Sequence, residues 1–190
     1  MKKLLTILLC LLALASCNTN HKCLIEGTVG NGDLNGKRIF LVPVFYEDSL
    51  GVDSVVIKDN KFQFERDQEF LADIRVDYHF RFGTESLLVV TEPGNVKVVI
   101  DSVSSGGGTP QNDSLQVWKE LMMQRTSNIK KFNKEYVSCM ENGDTTNALI
   151  AKKNLEDAMA KFTRRTKELA ENLKSGTLYD FLIQRVPKEK

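Results

Sequence analysis

Histidine is nearly missing from this sequence, and tryptophan, proline and cysteine are scarce. There are two histidines, one tryptophan, four prolines and four cysteines in 190 residues. The histidines, His21 and His79, stand far apart. A zinc centre wants clustered His, Cys or carboxylate ligands, so none is expected. No Cys-x-x-Cys occurs, which excludes the thioredoxin-type redox motif from these residues. No Gly-x-Ser-x-Gly elbow frames a nucleophilic serine. Asp53, Asp73 and Asp77 fall on different expected strands and turns, so spacing alone does not pair them for acid–base work. One sign of charge does not dominate: 26 Lys and Arg face 25 Asp and Glu, for a net charge of +1. Nucleic acid would need a basic face, and a polybasic membrane patch is also missing. No apolar run reaches the about 20 residues that a transmembrane helix needs. The composition thus points away from an enzyme, a cofactor, a metal and nucleic acid.

What the sequence does have begins at its first residue. Met1-Lys2-Lys3 is a positive start, Leu4 to Ala15 is a short apolar run, and Leu14-Ala15-Ser16-Cys17 ends it. This is the layout of a secretory signal with small residues at its cut site. The tetrad resembles the lipobox read by bacterial lipoprotein signal peptidase. That resemblance implies a signal peptide over residues 1–16, cleavage before Cys17, and lipid on the Cys17 sulfur and its new amino end. Two or three acyl chains, at about 0.8 kcal/mol per buried methylene, would hold the chain at a membrane. Residues 17–22 would form a tether. Asn18 to His21 carry no acidic cluster. The expected place is therefore the outer membrane of a bacterial envelope, facing the periplasm. Cys10 then leaves with the signal, and Cys23 and Cys139 remain. In an oxidising compartment they are candidates for a disulfide. The alternative is two isolated, buried small hydrophobes.

Residues 23–103 read as a β-sandwich domain, because turn signals recur every eight to twelve residues. Cys23 to Val29 alternates as a strand until Gly30-Asn31-Gly32-Asp33 breaks it. Lys37 to Phe45 follows, with Pro43 marking an edge or bulge. Asp53 to Glu65 reads as a hairpin. Val55 and Ile57 lead in, Asp59-Asn60 turns, and Phe62 and Phe64 lead out. Leu71 to Phe82, Ser86 to Val90 and Asn95 to Ile100 complete about seven strands, expected to pack as two antiparallel sheets.

Residues 104–112 contain Gly106-Gly107-Gly108 and Pro110. Neither the P-loop nor the dinucleotide fingerprint is present around them, so a flexible linker is expected. Asn112 or Asp113 is then the expected cap of a helix. Over 113–186, Leu115, Trp118, Met122, Ile129, Phe132, Tyr136 and Cys139 recur at three- and four-residue steps, with Arg125 in a gap. Ala148, Ala151, Leu155, Ala158, Phe162, Leu169 and Leu173 repeat the pattern, with Arg165 near its gap. Glu141 to Thr146 separates them, so the pair reads as a long antiparallel helical hairpin. Thr177 to Val186 reads as a short docked helix. Trp118, near the base, packs the hairpin on the sheets or, alternatively, meets a ligand. The class is α+β.

Asp53-Ser54-Val55 running into Lys61-Phe62-Gln63-Phe64 carries a family likeness. So do Glu92-Pro93-Gly94, Val98-Val99-Ile100 and Gly108-Thr109-Pro110-Gln111-Asn112-Asp113. In this order they resemble the N-terminal β-rich domain of unknown function of Bacteroidota thioredoxin-like thiol–disulfide oxidoreductase lipoproteins. Asn60 stands where that family usually has a turn glycine. The resemblance implies a thioredoxin-fold domain with a Cys-x-x-Cys further on, and the sequence reaches Lys190 without one. The expectation is therefore a non-catalytic, membrane-tethered interaction or scaffold module. Its expected partner is an envelope protein, such as a thiol–disulfide redox protein, or a second copy in a homodimer. Two other readings stay open. One is redox chemistry at Cys23 and Cys139. The other is a carbohydrate-binding sandwich using Tyr46, Tyr78 and Phe82.

Overall fold

The computed structural model describes residues 22–30, 32–45, 50–76 and 83–186. The chain runs through eight strands: β1 (Cys23–Val29), β2 (Arg38–Pro43), β3 (Asp53–Val56), β4 (Lys61–Arg66), β5 (Leu71–Val76), β6 (Leu87–Val90), β7 (Gly94–Ile100) and β8 (Ser105–Gly107). Three helices follow: α1 (Pro110–Glu141), α2 (Thr145–Leu173) and α3 (Thr177–Ile183). The strands form two four-stranded sheets, ordered β4-β1-β7-β8 and β3-β2-β5-β6.

Period-2 alternation decides which side of each strand is inside. Ile25, Phe62, Phe64, Val96, Val98 and Ile100 of the first sheet face Ile39, Leu41, Ile74, Val76, Leu87 and Val89 of the second. All are buried, and each large side chain contributes about 1.5–3 kcal/mol by leaving water. Gly27 faces inward too, directly opposite Phe62. A Cβ at Gly27 would lie 1.9 Å from Phe62 Cζ. The missing side chain is the seat of the Phe62 ring.

The expected seven strands are eight, and the sheets are not all antiparallel. β7 pairs β1 in parallel, from Cys23 opposite Gly94 to Val29 opposite Ile100. The first sheet is mixed, while the second is antiparallel throughout. The expected Asp53–Glu65 hairpin is also different. Asp59 and Asn60 do make the tight turn, at φ 49° and 58°, with Lys58 and Lys61 exchanging backbone bonds of 3.0 and 2.8 Å. Beyond that bridge the arms part: β3 pairs β2 in one sheet and β4 pairs β1 in the other. Ile57, wholly buried, anchors the corner where the chain changes sheets; its N–H bonds Lys37 O at 3.0 Å and its carbonyl accepts Gly36 N–H at 2.9 Å. Arg66 and Asp53 close the open side with a 2.9 Å ion pair.

The helices pack by the expected stripes. Ala148, Ala151 and Ala170 are buried and let α1 and α2 approach closely. The Arg125 gap is filled by its own side chain, whose guanidinium lies 5.4 Å from the Phe162 ring centre. Arg165 turns outward to Glu168 at 2.7 Å, and Thr166 takes the buried place beside it. Asp144 caps α2 by accepting the Asn147 N–H at 3.0 Å. A second apolar cluster joins Leu71 and Val90, on the outer face of the second sheet, to Leu115, Trp118, Leu178, Phe181 and Leu182. Among the described residues no helix is long and apolar enough to cross a membrane.

Candidate functional site

The root of α1 is held by groups far from it in sequence. The expected caps, Asn112 and Asp113, lie inside the helix, whose first residue is Pro110 and whose N-cap is Thr109. Thr109 makes no side-chain cap bond. The orphan N–H groups of a first turn still need acceptors. Glu92, between β6 and β7, supplies them: its Oε1 accepts Gln111 N–H at 2.7 Å and Asn112 N–H at 3.2 Å. A carboxylate there also meets the positive end of the helix. The Asn112 side chain is itself committed to β6. Its Oδ1 accepts Val90 N–H at 2.9 Å and its Nδ2 donates to Val90 O at 2.8 Å, which extends the sheet edge by one amide.

Gln111 ties in α3. Its Oε1 accepts Leu178 N–H at 2.8 Å, and its Nε2 donates to Glu69 Oε1 at 2.9 Å. Glu69 also accepts the Thr177 hydroxyl at 2.8 Å and the Thr177 N–H at 3.2 Å. Burial pushes the Glu69 carboxyl up, but the bonds from Gln111 and Thr177 outweigh it and hold the group below its usual value. α1 and α3 are thereby mounted on one end of the sandwich, and α2 packs against both helices.

The three glycines are not a flexible linker. Ser105–Gly107 form β8 on the edge of the first sheet, and Ser104 beside them is wholly buried. A Cβ at Gly107 would lie 2.6 Å from Asp113 Oδ1. Gly108 has φ +101°, and a Cβ there would lie 2.6 Å from Asn95 O. Glycine lets the edge strand and the helix touch, which is why these residues carry no side-chain pattern.

These contacts set the direction of the helical pair. α1 starts beside Gly94, whose N–H bonds Lys22 O at 3.0 Å at the start of β1. It then runs back along β8: Asp113 bonds Gly108, Gln116 bonds Gly106, and Lys119 bonds Ser104 O and pairs with Glu85 at 3.5 Å. Its buried residues end at Trp118. The remaining residues from Met122 to Glu141 extend about 28 Å at 1.5 Å each, with α2 alongside. The arm thus leaves the sandwich at the end opposite Lys22. Near its tip Val137, Met140, Leu149 and Ile150 are 52, 48, 66 and 51% exposed.

Trp118 takes the packing role, and more. Its ring stands edge-on to Phe181, 5.3 Å between centres and at 81°. It also walls a cavity of 660 Å³ between α1 and the outer face of the second sheet. Val42, Leu88, Leu115 and Met122 give that cavity its apolar lining. The indole N–H is buried and has no hydrogen-bond partner. Nothing in the sequence pattern announces the cavity, because its walls come from β2, β5, β6 and α1.

The other sequence candidates are dispersed. Cys17, His21, Tyr46, Asp77, Tyr78, His79 and Phe82, with the signal peptide and the rest of the tether up to His21, lie outside the described residues. Asp53 pairs with Arg66, while Asp73 lines the cavity. Cys23 and Cys139 are both free thiols, not a disulfide. Cys23 sits at the root end of β1, while Cys139 lies 29 residues into α1, on the order of 40 Å along it. A disulfide needs Cα atoms within about 7 Å. Burial pushes the Cys23 thiol up to about 11, with the Glu92 charge adding to the rise. Among the described residues no three His, Cys, Asp or Glu side chains stand together as a metal site.

Residues 23–115 match the family described as a domain of unknown function, DUF4369. The matched segment covers all eight strands and the first turns of α1, including Glu92 and both residues that it holds. The arm and α3 lie beyond it. No curated protein and no solved structure matches the chain.

Proposed function

We propose that this chain is a non-catalytic binding module of a bacterial envelope. In this reading it is lipid-anchored at Cys17 on the outer membrane, faces the periplasm, and recruits a protein partner through its helical arm. The arm's direction carries the reading. Five residues, 18–22, separate Cys17 from β1, and a chain of that length spans at most about 18 Å. The tip lies beyond the far end of the sandwich, on the order of 50 Å from Cys23 by strand and helix rise. An anchor at one end and an arm at the other presents Val137, Met140 and Leu149 away from the membrane. Isolated exposed apolar side chains are ordinary, but several at one tip mark a contact surface.

The likeness of the DUF4369 segment to the front of thioredoxin-like oxidoreductase lipoproteins makes a thiol–disulfide redox protein the first partner to test. The redox reading of the chain's own cysteines loses support from the buried, high-pKa Cys23 thiol.

Two measurements test the proposal. Metabolic labelling with an alkyne fatty acid should tag the chain, and Cys17→Ser should remove the tag and release it from membranes. A photo-cross-linking residue at position 137 or 149 should give one discrete adduct that Met140→Glu abolishes, while the same residue at Lys97 gives none. Adducts that persist in Met140→Glu would defeat the arm reading. An adduct of two copies would replace the envelope partner by a homodimer.

A further inference from the structure

The cavity beside Trp118 is separate from the arm tip and is independent of the reading above. The outer face of the second sheet is covered only in part. α3 seals Leu71 and Val90, but Val42 and Leu88 stay half-buried where α1 leans over them. The space between, 660 Å³, lies in the range of small-molecule sites, about 300–1,000 Å³. Such sites join apolar walls to a few polar groups that fix orientation.

Three charged residues line it: Asp73, Arg75 and Lys119. Lys119 is already spent on Ser104 O and Glu85. Asp73 has an interaction of its own. Arg75, exposed on β5, has no ion pair among the described residues. A guanidinium is a fork of donors that fits a carboxylate in two bonds. With Lys119 and Asp73 otherwise engaged, the lining offers the Arg75 donors, so an oxygen-bearing anion fits better than a cation or a plain hydrocarbon.

We infer that this cavity binds an amphipathic carboxylate, with its apolar body against Val42, Leu88 and Met122 and its acid group on Arg75. Trp118, the sole tryptophan, reports the event by its own fluorescence. The test uses the full chain carrying Cys17→Ser, free of detergent, titrated with dodecanoate below its micelle concentration. Dodecanol and dodecyltrimethylammonium are the controls. A saturable change in Trp118 emission is expected for dodecanoate, at least about tenfold tighter than for either control. Arg75→Glu should weaken it by about tenfold or more, Arg75→Lys by less, and Val42→Phe should block it by filling the space. Equal binding of the cationic or neutral analogue, unchanged binding in Arg75→Glu, or no saturable response to dodecanoate would each overturn the inference. None of these results touches the arm, whose cross-linking stands or falls separately.

Discussion

Glu92 Oε1 accepts the backbone N–H of Gln111 at 2.7 Å, so a carboxylate between two strands caps a helix 18 residues downstream of its turn. Only 8% of Glu92 is exposed. Removing it strands the Gln111 and Asn112 N–H groups in the first turn of α1. Glu92→Ala should therefore cost about 2–3 kcal/mol of stability, and Glu92→Gln, which keeps an acceptor but not the charge, about 1 kcal/mol. Urea unfolding followed by Trp118 emission measures both. No loss in Glu92→Gln would mean that charge at the helix end contributes nothing, and equal losses that the neutral acceptor contributes nothing.

Gly27 and Phe62 make a second prediction, about packing. Gly27→Ala puts a methyl group where the Phe62 ring lies. The ring must tilt out of a close-packed core, at a cost of about 1–3 kcal/mol. Phe62→Leu should also destabilise, by opening space. The double variant should lose clearly less than the sum, because each change relieves the other. Additive losses would show that the ring does not depend on the missing side chain.

The readable parts of this fold are those whose signal is local. Alternation and turn spacing marked the strands that carry Ile25, Phe62, Phe64 and Ile74, and the three- and four-residue steps from Leu115 to Leu173 made a helical pair. The Asp59-Asn60 turn was readable because both residues tolerate positive φ. What was hidden depends on partners distant in sequence. A parallel β1–β7 pairing leaves no mark on either strand. β3 and β4 look like hairpin arms because the tight turn is real, yet past the Lys58–Lys61 bridge each pairs with a strand of a different sheet. β8 carries Ser and Gly only, so it reads as a linker, although those glycines are what let α1 lie against the sheet. The Glu92 cap was hidden for a related reason: helix-cap rules look within a few residues of the helix. The Trp118 cavity needs four elements at once.

Glu69 gives the pH prediction. Its carboxyl is held below the usual value, 4.5, by bonds from Gln111 and Thr177 that outweigh its burial. A depressed folded pKa means that this stabilisation is present above the unfolded value and is lost as pH falls from about 4.5 through the folded pKa. Wild type should thus exceed Glu69→Gln in stability near neutral pH, and the gap should narrow in that acid range. The effect is modest because the group is largely solvated. Amide exchange at Leu178 should quicken in step, since the same network holds the start of α3. A gap that stays constant with pH would mean that the ionised form has no special role.

The two thiols should differ sharply in reactivity. Cys23 is wholly buried and its thiol is pushed up to about 11. At about pH 8 only about one such group in a thousand is thiolate, and the thiolate is the reactive form. Cys139 is half-buried near the tip of α1, where no sheet covers the helices. In a chain carrying Cys10→Ser and Cys17→Ser, iodoacetamide should label Cys139 in the folded state and Cys23 only after unfolding, with no disulfide on a non-reducing gel. Peptide mass mapping separates the sites. Rapid labelling at Cys23, or a Cys23–Cys139 linkage after mild oxidation of folded protein, would require the root of β1 and the arm to meet, and would return the redox reading to first place.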